Sequence, residues 1–396
     1  MKKTLSLILL TFFVYSLINS EEVYQKIEIT ELLENFIPNY EIENRFLIEG
    51  IGQAFAVAQE SEDILVVTES DSLIKIHLFE NSGKLLWEKT LSTSGYNLSC
   101  SISNNGSAII ITSNFNERAT NYVLDRNGNT LFEKILKDIK LKPTPNGKYF
   151  YEEIGIMAGR RRGIYIYNRK GENIQLTGYN FADFEHIRIK FINNEEVFAY
   201  MKNQFVFYNF EDGCFTQKWS YSLLKEEYFG IHFKDHALMS PNYIFVSSPI
   251  VSKKAPQSKT KVLSYEGKLI FSDDIYYGSA SFLTNDRILG YSNTNKGRFL
   301  NIIDFNTKQT HKYAESPQFE KNRENNPFNN VLIFDKSTLY SIRRFPWDKY
   351  RFSSLIVSSV DNNHYISDYS FIKISNRIIA LKQYTKKTEL VLLKRK

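Results

Sequence analysis

Residues 78–89 read Leu-Phe-Glu-Asn-Ser-Gly-Lys-Leu-Leu-Trp-Glu-Lys, and residues 124–134 repeat the pattern as Leu-Asp-Arg-Asn-Gly-Asn-Thr-Leu-Phe-Glu-Lys. Weaker copies begin at Tyr167, Asn209 and Ser264. In each copy an alternating strand enters a short turn that contains glycine and leaves as a second strand, which is typical of a β-hairpin. The five glycines are 45, 43, 42 and 54 residues apart. A hairpin therefore recurs about every 44 residues.

A second set of turns alternates with these hairpins. The turns are rich in asparagine, aspartate and glycine, and each precedes an apolar strand such as residues 108–111 or 377–380. They occupy positions 62–63, 104–106, 145–147, 193–194, 241–242, 285–286, 335–336 and 375–376. Two turns in each repeat give four strands, which is the composition of a propeller blade. The sequence therefore predicts an all-β fold, a β-propeller of about eight four-stranded blades over residues 42–396. The alternatives are a seven-bladed ring with one irregular insertion and a pair of β-sandwiches.

The two ends of the repeat region predict how the ring closes. The last unit stops at its third strand, residues 389–393, whereas a spare strand, residues 44–48, precedes the first complete unit. An unpaired edge strand exposes backbone groups and invites aggregation. We therefore expect residues 44–48 to complete the last blade. Residues 21–41 form an N-terminal extension, within which residues 30–36 are predicted to be one short capped helix.

The N-terminus has the pattern of a secretory signal peptide. Met1-Lys-Lys3 is basic, residues 5–18 are almost entirely apolar, and a polar break follows at Asn19-Ser20. The apolar run is shorter than the roughly 20 residues that a membrane helix needs. We therefore expect residues 1–20 to be removed on export to the periplasm or the outside of the cell, with an uncleaved signal anchor as the alternative.

The composition agrees with an exported β protein and excludes some other classes. The chain of 396 residues contains 25 tyrosines and 30 phenylalanines, and aromatic residues favour strands. Its two cysteines, Cys100 and Cys214, lie in different repeats, so both are predicted to be free thiols and Cys100 to be buried. The net charge of +6 is modest. This charge and the expected export both argue against nucleic acid as a partner.

Residues 83–87, Gly-Lys-Leu-Leu-Trp, resemble the end of the quinoprotein-like (PQQ-type) propeller repeat. Residues 128–132 and 267–271 are similar, with phenylalanine in place of tryptophan, and WD40-like repeats are an equally broad relation. Members of both groups are mostly scaffolds and binding modules. The adjacent cysteines and quinone-stacking tryptophan of a quinoprotein dehydrogenase have no counterpart, since Trp87 and Trp219 lie on outer strands that should dock one blade on the next. We therefore expect no cofactor.

No residue pattern indicates a catalytic or metal site. His232 and His236 have the spacing of one strand face, but zinc needs three or four ligands and Asp235 would point away. The sequence contains no nucleophile elbow, phosphate-binding loop or dinucleotide fingerprint. A pair of glycosidase carboxylates in the central channel stays possible in principle, although no two acidic residues are singled out. The alternative function is therefore a propeller enzyme, quinoprotein- or glycosidase-like, acting through that channel.

The longest and most basic loops point to one working face. In an up-and-down blade, the loops between the second and third strands share a face with the links between blades. These loops span residues 159–163, 252–259, 295–298, 343–351 and 384–387. Loops on a rigid scaffold are where binding residues concentrate. The predicted binding residues are Arg160, Arg161, Arg162, Lys253, Lys254, Arg343, Arg344, Trp347, Lys349 and Arg351.

Residues 343–351 are the strongest single candidate because they combine four cations with three aromatic side chains. Arginine and tryptophan are enriched at binding hot spots. Phe345 and Trp347 could instead fold inward and cover the blade, and the basic residues could serve only solubility. The sequence thus favours a non-catalytic binding or scaffold module, whose partner is a protein or an anionic envelope component such as a polysaccharide or a lipid headgroup.

Overall fold

The computed structural model describes residues 25–71, 73–91, 96–115, 118–137, 139–154, 164–178, 188–200, 204–222, 236–240, 242–247, 260–294, 297–315, 328–334, 337–343, 352–358, 364–374 and 376–396. These residues form 32 strands, one α-helix and eight sheets. Within the same ranges, no helix has the length and apolar character needed to cross a bilayer. Residues 1–20, the predicted signal peptide, lie outside the described part.

The strands of sheets 1 to 4 follow one another along the chain. Sheet 1 contains Ile51–Val57, Ile64–Ser70, Leu73–Phe79 and Leu85–Leu91. Sheet 2 contains Tyr96–Ile102, Ala108–Phe115, Arg118–Asp125 and Thr130–Lys137. Sheet 3 has three strands, Ile139–Pro143, Phe150–Ile154 and Ile166–Tyr167. Sheet 4 contains Arg188–Phe191, Glu196–Tyr200, Gln204–Glu211 and Cys214–Ser222.

Sheets 5 to 8 continue the pattern, and the last two also recruit N-terminal strands. Sheet 5 contains His236–Met239, Tyr243–Ser247, Thr260–Ser264 and Leu269–Asp273. Sheet 6 contains Tyr277–Thr284, Arg287–Thr294, Gly297–Asp304 and Gln309–Glu315. Sheet 7 contains Phe328–Phe334, Ser337–Arg343, Phe352–Ser358 and His364–Ser367, with Gln25–Lys26 as a fifth strand. Sheet 8 contains Tyr369–Ile374, Arg377–Gln383, Lys387–Arg395 and Tyr40–Glu49.

The order of strands confirms the predicted repeat. Sheets 1, 2, 4, 5 and 6 each have four antiparallel strands in simple succession, and sheet 8 has four with its outer strand from the N-terminus, an arrangement consistent with the blades of a WD40-like β-propeller. The asparagine- and aspartate-rich turns join first to second strands, and the glycine turns of the quoted hairpins join third to fourth strands. Sheet 3 is the exception. Its third strand has only two residues, and beyond it the chain makes two isolated bridges, from Tyr167 to Asn173 and from Thr177 to Cys214 of sheet 4.

The burial of the strands explains why their sequences are apolar runs. The second strands are covered on both faces, so Ala108 to Ser113 are buried without interruption. The fourth strands alternate between exposed and half-buried residues, as Leu85–Leu91 does, because they lie at the outer edge of each sheet.

The first long strand pairs with the last strand of the chain, as expected. Tyr40–Glu49 runs antiparallel to Lys387–Arg395 through nine residue pairs, from Tyr40 opposite Arg395 to Glu49 opposite Lys387. The pairing therefore extends beyond residues 44–48, and one irregularity between Ile42 and Asn44 shifts its register.

The N-terminal extension packs against sheet 8. Its helix spans Ile29–Asn35, and buried Ile29 and Leu32 join an apolar cluster with Phe371 and Val391 of that sheet. The helix begins one residue earlier than predicted. Its N-cap is Glu28, which makes no side-chain capping bond, so the expected cap is wrong. Packing of the apolar side chains, rather than a cap, holds this short helix in place.

Candidate functional site

Aromatic side chains on the outer strands of several sheets pack against the next sheet. The indole Nε1 of Trp87 in sheet 1 donates to the carbonyl oxygen of Arg126 in sheet 2 at 2.7 Å, and a Cβ atom on Gly128 would lie 3.1 Å from the indole. In the same way, Trp219 of sheet 4 donates to the carbonyl oxygen of Tyr265 in sheet 5 at 2.5 Å. Both tryptophans therefore have the docking role that the sequence predicted.

The same contact recurs around the molecule, including between the last sheet and the first. Phe132 lies against Gly171, and Phe46 of sheet 8 lies against Gly83 of sheet 1. Apolar side chains continue that last contact, since Ile379 and Leu390 of sheet 8 share a buried cluster with Ile64 and Val66 of sheet 1. Sheet 8 is thus packed against sheet 1.

Polar bonds fix the turns on the face that carries the first-to-second and third-to-fourth turns, called here the turn face. Asp63, which is 1% exposed, accepts from Arg126 at two atoms, Nη2 to Oδ1 at 3.0 Å and Nε to Oδ2 at 2.9 Å. The amide of Glu60 donates to the carbonyl oxygen of Asn104 at 2.8 Å. Arg169 reaches from the third sheet's outer turn to the carbonyl oxygen of Gly147 at 3.0 Å. The turn face is therefore preorganised.

A cavity of about 1060 Å³ opens on the turn face. Gln59 and Asn104 line it from the first two sheets, whereas Asn193 and Asn242 line it from the turns of sheets 4 and 5. The remaining lining comes from residues 192, 196, 240, 243, 264–266, 268 and 270. Turns that are far apart in the sequence therefore contribute to one cavity, which no short motif could have indicated.

A second polar cluster lies where the N-terminal strand completes sheet 8. The carboxylate of Glu389 accepts from the hydroxyls of Tyr369 at 2.7 Å and Tyr384 at 3.0 Å. Burial and this carboxylate raise the pKa of Tyr369 far above its usual range. The ammonium of Lys382 donates to Glu28 at 2.9 Å. The donors and acceptors of this cluster are hydrogen-bonded to one another. The bond from Lys382 to Glu28 holds the extension against the sheet.

The predicted binding residues fall almost entirely outside the described part of the chain. Arg343 is the last residue of strand Ser337–Arg343, and the other nine have no described position. Two of the five basic segments are shorter than expected. Gly297 and Arg298 belong to strand Gly297–Asp304, and Lys387 begins strand Lys387–Arg395, so the expectation that all five are long loops is wrong.

The cysteines and metal-ligating side chains add no site. Neither Cys100 nor Cys214 forms a disulfide, as predicted, but Cys100 is half-buried rather than buried and Cys214 is exposed. Cys100 lies on the first strand of sheet 2. Among the described residues, no group of three or more His, Cys, Asp or Glu side chains is placed to hold a metal ion.

No family model and no curated protein sequence matches the chain. A solved structure of the WD40 domain of SCAP from fission yeast is 8% identical, with a TM-score of 0.44 over 89% of this chain and 97% of that one. An uncharacterised protein from Listeria monocytogenes EGD-e is 12% identical, with a TM-score of 0.45 over 80% of this chain and 96% of that one.

Part of a larger enzyme is also similar. Acylaminoacyl peptidase from Pyrococcus horikoshii is 11% identical, with a TM-score of 0.42 over 85% of this chain and 57% of the peptidase. The chain therefore spans little more than half of that protein. All three TM-scores are below 0.5. The fold is defined by the strand pairing and by the packing between sheets.

Proposed function

We propose that the chain is an exported, non-catalytic β-propeller of eight blades that binds an anionic partner through the face opposite the turn face. Two observations support the closed ring, namely the pairing of Tyr40–Glu49 with Lys387–Arg395 and the packing of Phe46 on Gly83. A closed ring is a stable scaffold, because every sheet is covered by its neighbours and only short outer edges stay unpaired.

One observation carries the proposal of a basic working face. Each of the five basic segments of the sequence lies between the second and third strands of its own sheet. In an antiparallel succession these connections emerge on the side opposite to the first-to-second turns. Nine lysines and arginines from sheets 3, 5 and 7 would then converge on one face, where they attract a negatively charged surface. A lipid phosphate headgroup, an acidic polysaccharide or an acidic protein patch has the required charge.

The binding proposal is tested by charge reversal with a matched control. Replacing Arg160, Arg161 and Arg162 by glutamate should weaken binding to phosphatidylglycerol vesicles or to polygalacturonate at least about tenfold, because like charges then face each other. The control reverses Lys84, Lys170 and Lys308, which are exposed cations of the turns that follow the third strands of sheets 1, 3 and 6 and lie on the turn face. Added salt should imitate the first variant, since it screens exposed charges.

Trp347→Ala should weaken the same binding and leave the melting temperature unchanged. Equal losses in both charge-reversal variants would show that only net charge matters and would contradict a specific face. A large loss of stability with unchanged binding in Trp347→Ala would identify Trp347 as a packing residue.

Export is tested on protein taken from the source cells. We expect the intact mass and the N-terminal sequence to show that residues 1–20 have been removed, because basic, apolar and polar segments follow one another there in the order that signal peptidase requires. Recovery of full-length protein from the cytoplasm would contradict export. Full-length protein in the membrane fraction would instead support the uncleaved anchor.

A further inference from the structure

We infer that the cavity on the turn face is a separate binding site and that its ligand is a neutral oligosaccharide. The site contains none of the residues assigned to the basic face. Evidence for or against this site therefore does not decide the proposed function. Its volume, about 1060 Å³, lies at the upper end of the range of ligand pockets and has room for several sugar rings.

The polar groups of the cavity suit hydroxyl groups. Gln59 and Asn242 are exposed, Asn104 is half-buried, and within the described part of the chain their side-chain amides make no hydrogen bond. An amide offers two donors and an acceptor. A sugar hydroxyl is likewise donor and acceptor at once, so each amide can satisfy a hydroxyl in both directions. Three such amides from separate turns therefore match a ligand with hydroxyls on several sides.

The cavity also offers flat and apolar surfaces. Tyr243 and Tyr265 line it together with Ile192 and Ile270. A sugar ring presents C–H groups on its faces and hydroxyls at its rim, and aromatic rings are large apolar surfaces with a polar tip. The Tyr243 ring is held at 78° to the ring of Phe305, with centroids 5.3 Å apart, so its orientation is fixed before a ligand arrives.

The charges of the cavity disfavour an anionic ligand. Its titratable groups are Glu196, Glu266 and Lys268, besides the two tyrosines. Glu196 is paired with Lys218 at 2.6 Å, and a hydrogen bond from Ser264 keeps the pKa of Glu266 below its usual value. The two glutamates outnumber the single lysine of the lining, so the cavity is unsuited to the acidic partners proposed for the opposite face.

The strands beside the cavity disfavour an extended peptide. Such a peptide commonly adds to the open edge of a sheet. Tyr243–Ser247 is paired on both sides, with His236–Met239 and with Thr260–Ser264, and Thr260–Ser264 pairs in turn with Leu269–Asp273. A ligand over the inner strands Tyr243–Ser247 and Thr260–Ser264 is therefore recognised by side chains, which agrees with a sugar, whereas the outer strand Leu269–Asp273 has an unpaired edge in the described sheet.

The site is preorganised, so little conformational entropy should be lost when a ligand binds. The Tyr265 hydroxyl donates to the carbonyl oxygen of Ser240 at 2.7 Å, and the Ser240 hydroxyl donates to the carbonyl oxygen of Asn285 at 3.2 Å. The side chain of Asn193 accepts from the amide of Glu196 at 2.8 Å. The Ser240 bond joins sheet 5 to the first turn of sheet 6, and the other two bonds each hold one turn, in sheet 5 and in sheet 4.

The test is calorimetric titration of the folded chain with maltopentaose, cellopentaose, laminaripentaose and chitopentaose, each up to about 10 mM. We expect at least one to bind. The variant Gln59→Ala/Asn242→Ala/Tyr243→Phe should weaken that binding at least about tenfold, because it removes three hydrogen-bonding groups and keeps the Tyr243 ring in place. The control variant Asn81→Ala/Asn127→Ala, which removes two exposed amides of other turns on the same face, should bind as the unchanged chain does.

Absence of binding for all four sugars would overturn the inference. Equal binding by the triple variant would also overturn it, because the sugar would then lie elsewhere. Binding of an uncharged pentapeptide that is lost in the triple variant, with no sugar bound, would show a peptide site instead. Loss of sugar binding on charge reversal at Arg160 to Arg162 would place the sugar on the basic face and likewise contradict this site.

Discussion

Replacing residues 42–48 by a flexible Gly-Ser segment of equal length should prevent the chain from folding to a soluble monomer. The replacement removes seven residues of the strand that covers Lys387–Arg395, so the backbone of the last strand loses its partner. It also removes Ile48, which is 6% exposed, and partly buried Ile42 and Phe46. Each such side chain contributes about 1.5–3 kcal/mol when fully buried, and the whole free energy of unfolding of a domain is about 5–15 kcal/mol.

Light scattering after size exclusion and thermal unfolding by circular dichroism measure the result. A synthetic peptide of residues 40–49, added during refolding, should restore part of the monomer because it can occupy the vacant edge. The matched control is Leu47→Thr, since Leu47 is on the same strand but 66% exposed, and it should leave the melting temperature within about 2 °C of the original. A soluble replacement variant with unchanged melting would mean that the strand is dispensable.

The features that repeat are those that the sequence could predict. Each turn depends on a few residues with special backbone preferences, and the strands between them are apolar because they are covered on both faces. The spare N-terminal strand followed from the same regularity, since the last unit lacked a fourth strand. The weaker predictions concern non-repeating parts. The helix Ile29–Asn35 is held by contacts with sheet 8, and seven residues carry too little local signal to place its start.

Buried polar pairs between the second and third strands were not predicted at all. The side chain of Asn121 accepts from the Thr112 hydroxyl at 2.9 Å and donates to the carbonyl oxygen of Ile139 in sheet 3 at 3.1 Å. In sheet 5, the hydroxyls of Ser247 and Thr260 are 2.8 Å apart, and Thr260 donates to the carbonyl oxygen of Ile275. Both pairs tie a sheet to the entry of the next.

The only sequence signal for these pairs is a polar residue that interrupts an apolar strand. Without the fold, such a residue has no identifiable partner, because its partner lies in the following repeat. The cavity on the turn face escaped prediction for a similar reason. Its residues are ordinary turn amides and tyrosines, and only the arrangement of sheets brings Gln59 and Asn242 to one opening.

Gly83→Ala should destabilise the chain by about 2–5 kcal/mol through two separate effects. Gly83 has a φ of +87°, a backbone conformation that costs any other residue about 1–2 kcal/mol. In addition, a Cβ atom at this position would overlap the ring of Phe46 on the neighbouring sheet, and such overpacking typically costs about 1–3 kcal/mol. Urea unfolding of the single variant measures the sum of the two effects.

A double-mutant cycle separates the two effects and thereby tests whether the last sheet meets the first. Phe46→Ala removes the ring, so in the double variant the overlap disappears and only the backbone strain remains. The double variant should therefore be about 1–3 kcal/mol more stable than the sum of the single variants predicts. The control cycle combines Phe46→Ala with Gly128→Ala, because Gly128 lies against Trp87 and not against Phe46. That control should be additive within about 0.5 kcal/mol, and additivity in both cycles would mean that sheet 8 does not pack on sheet 1.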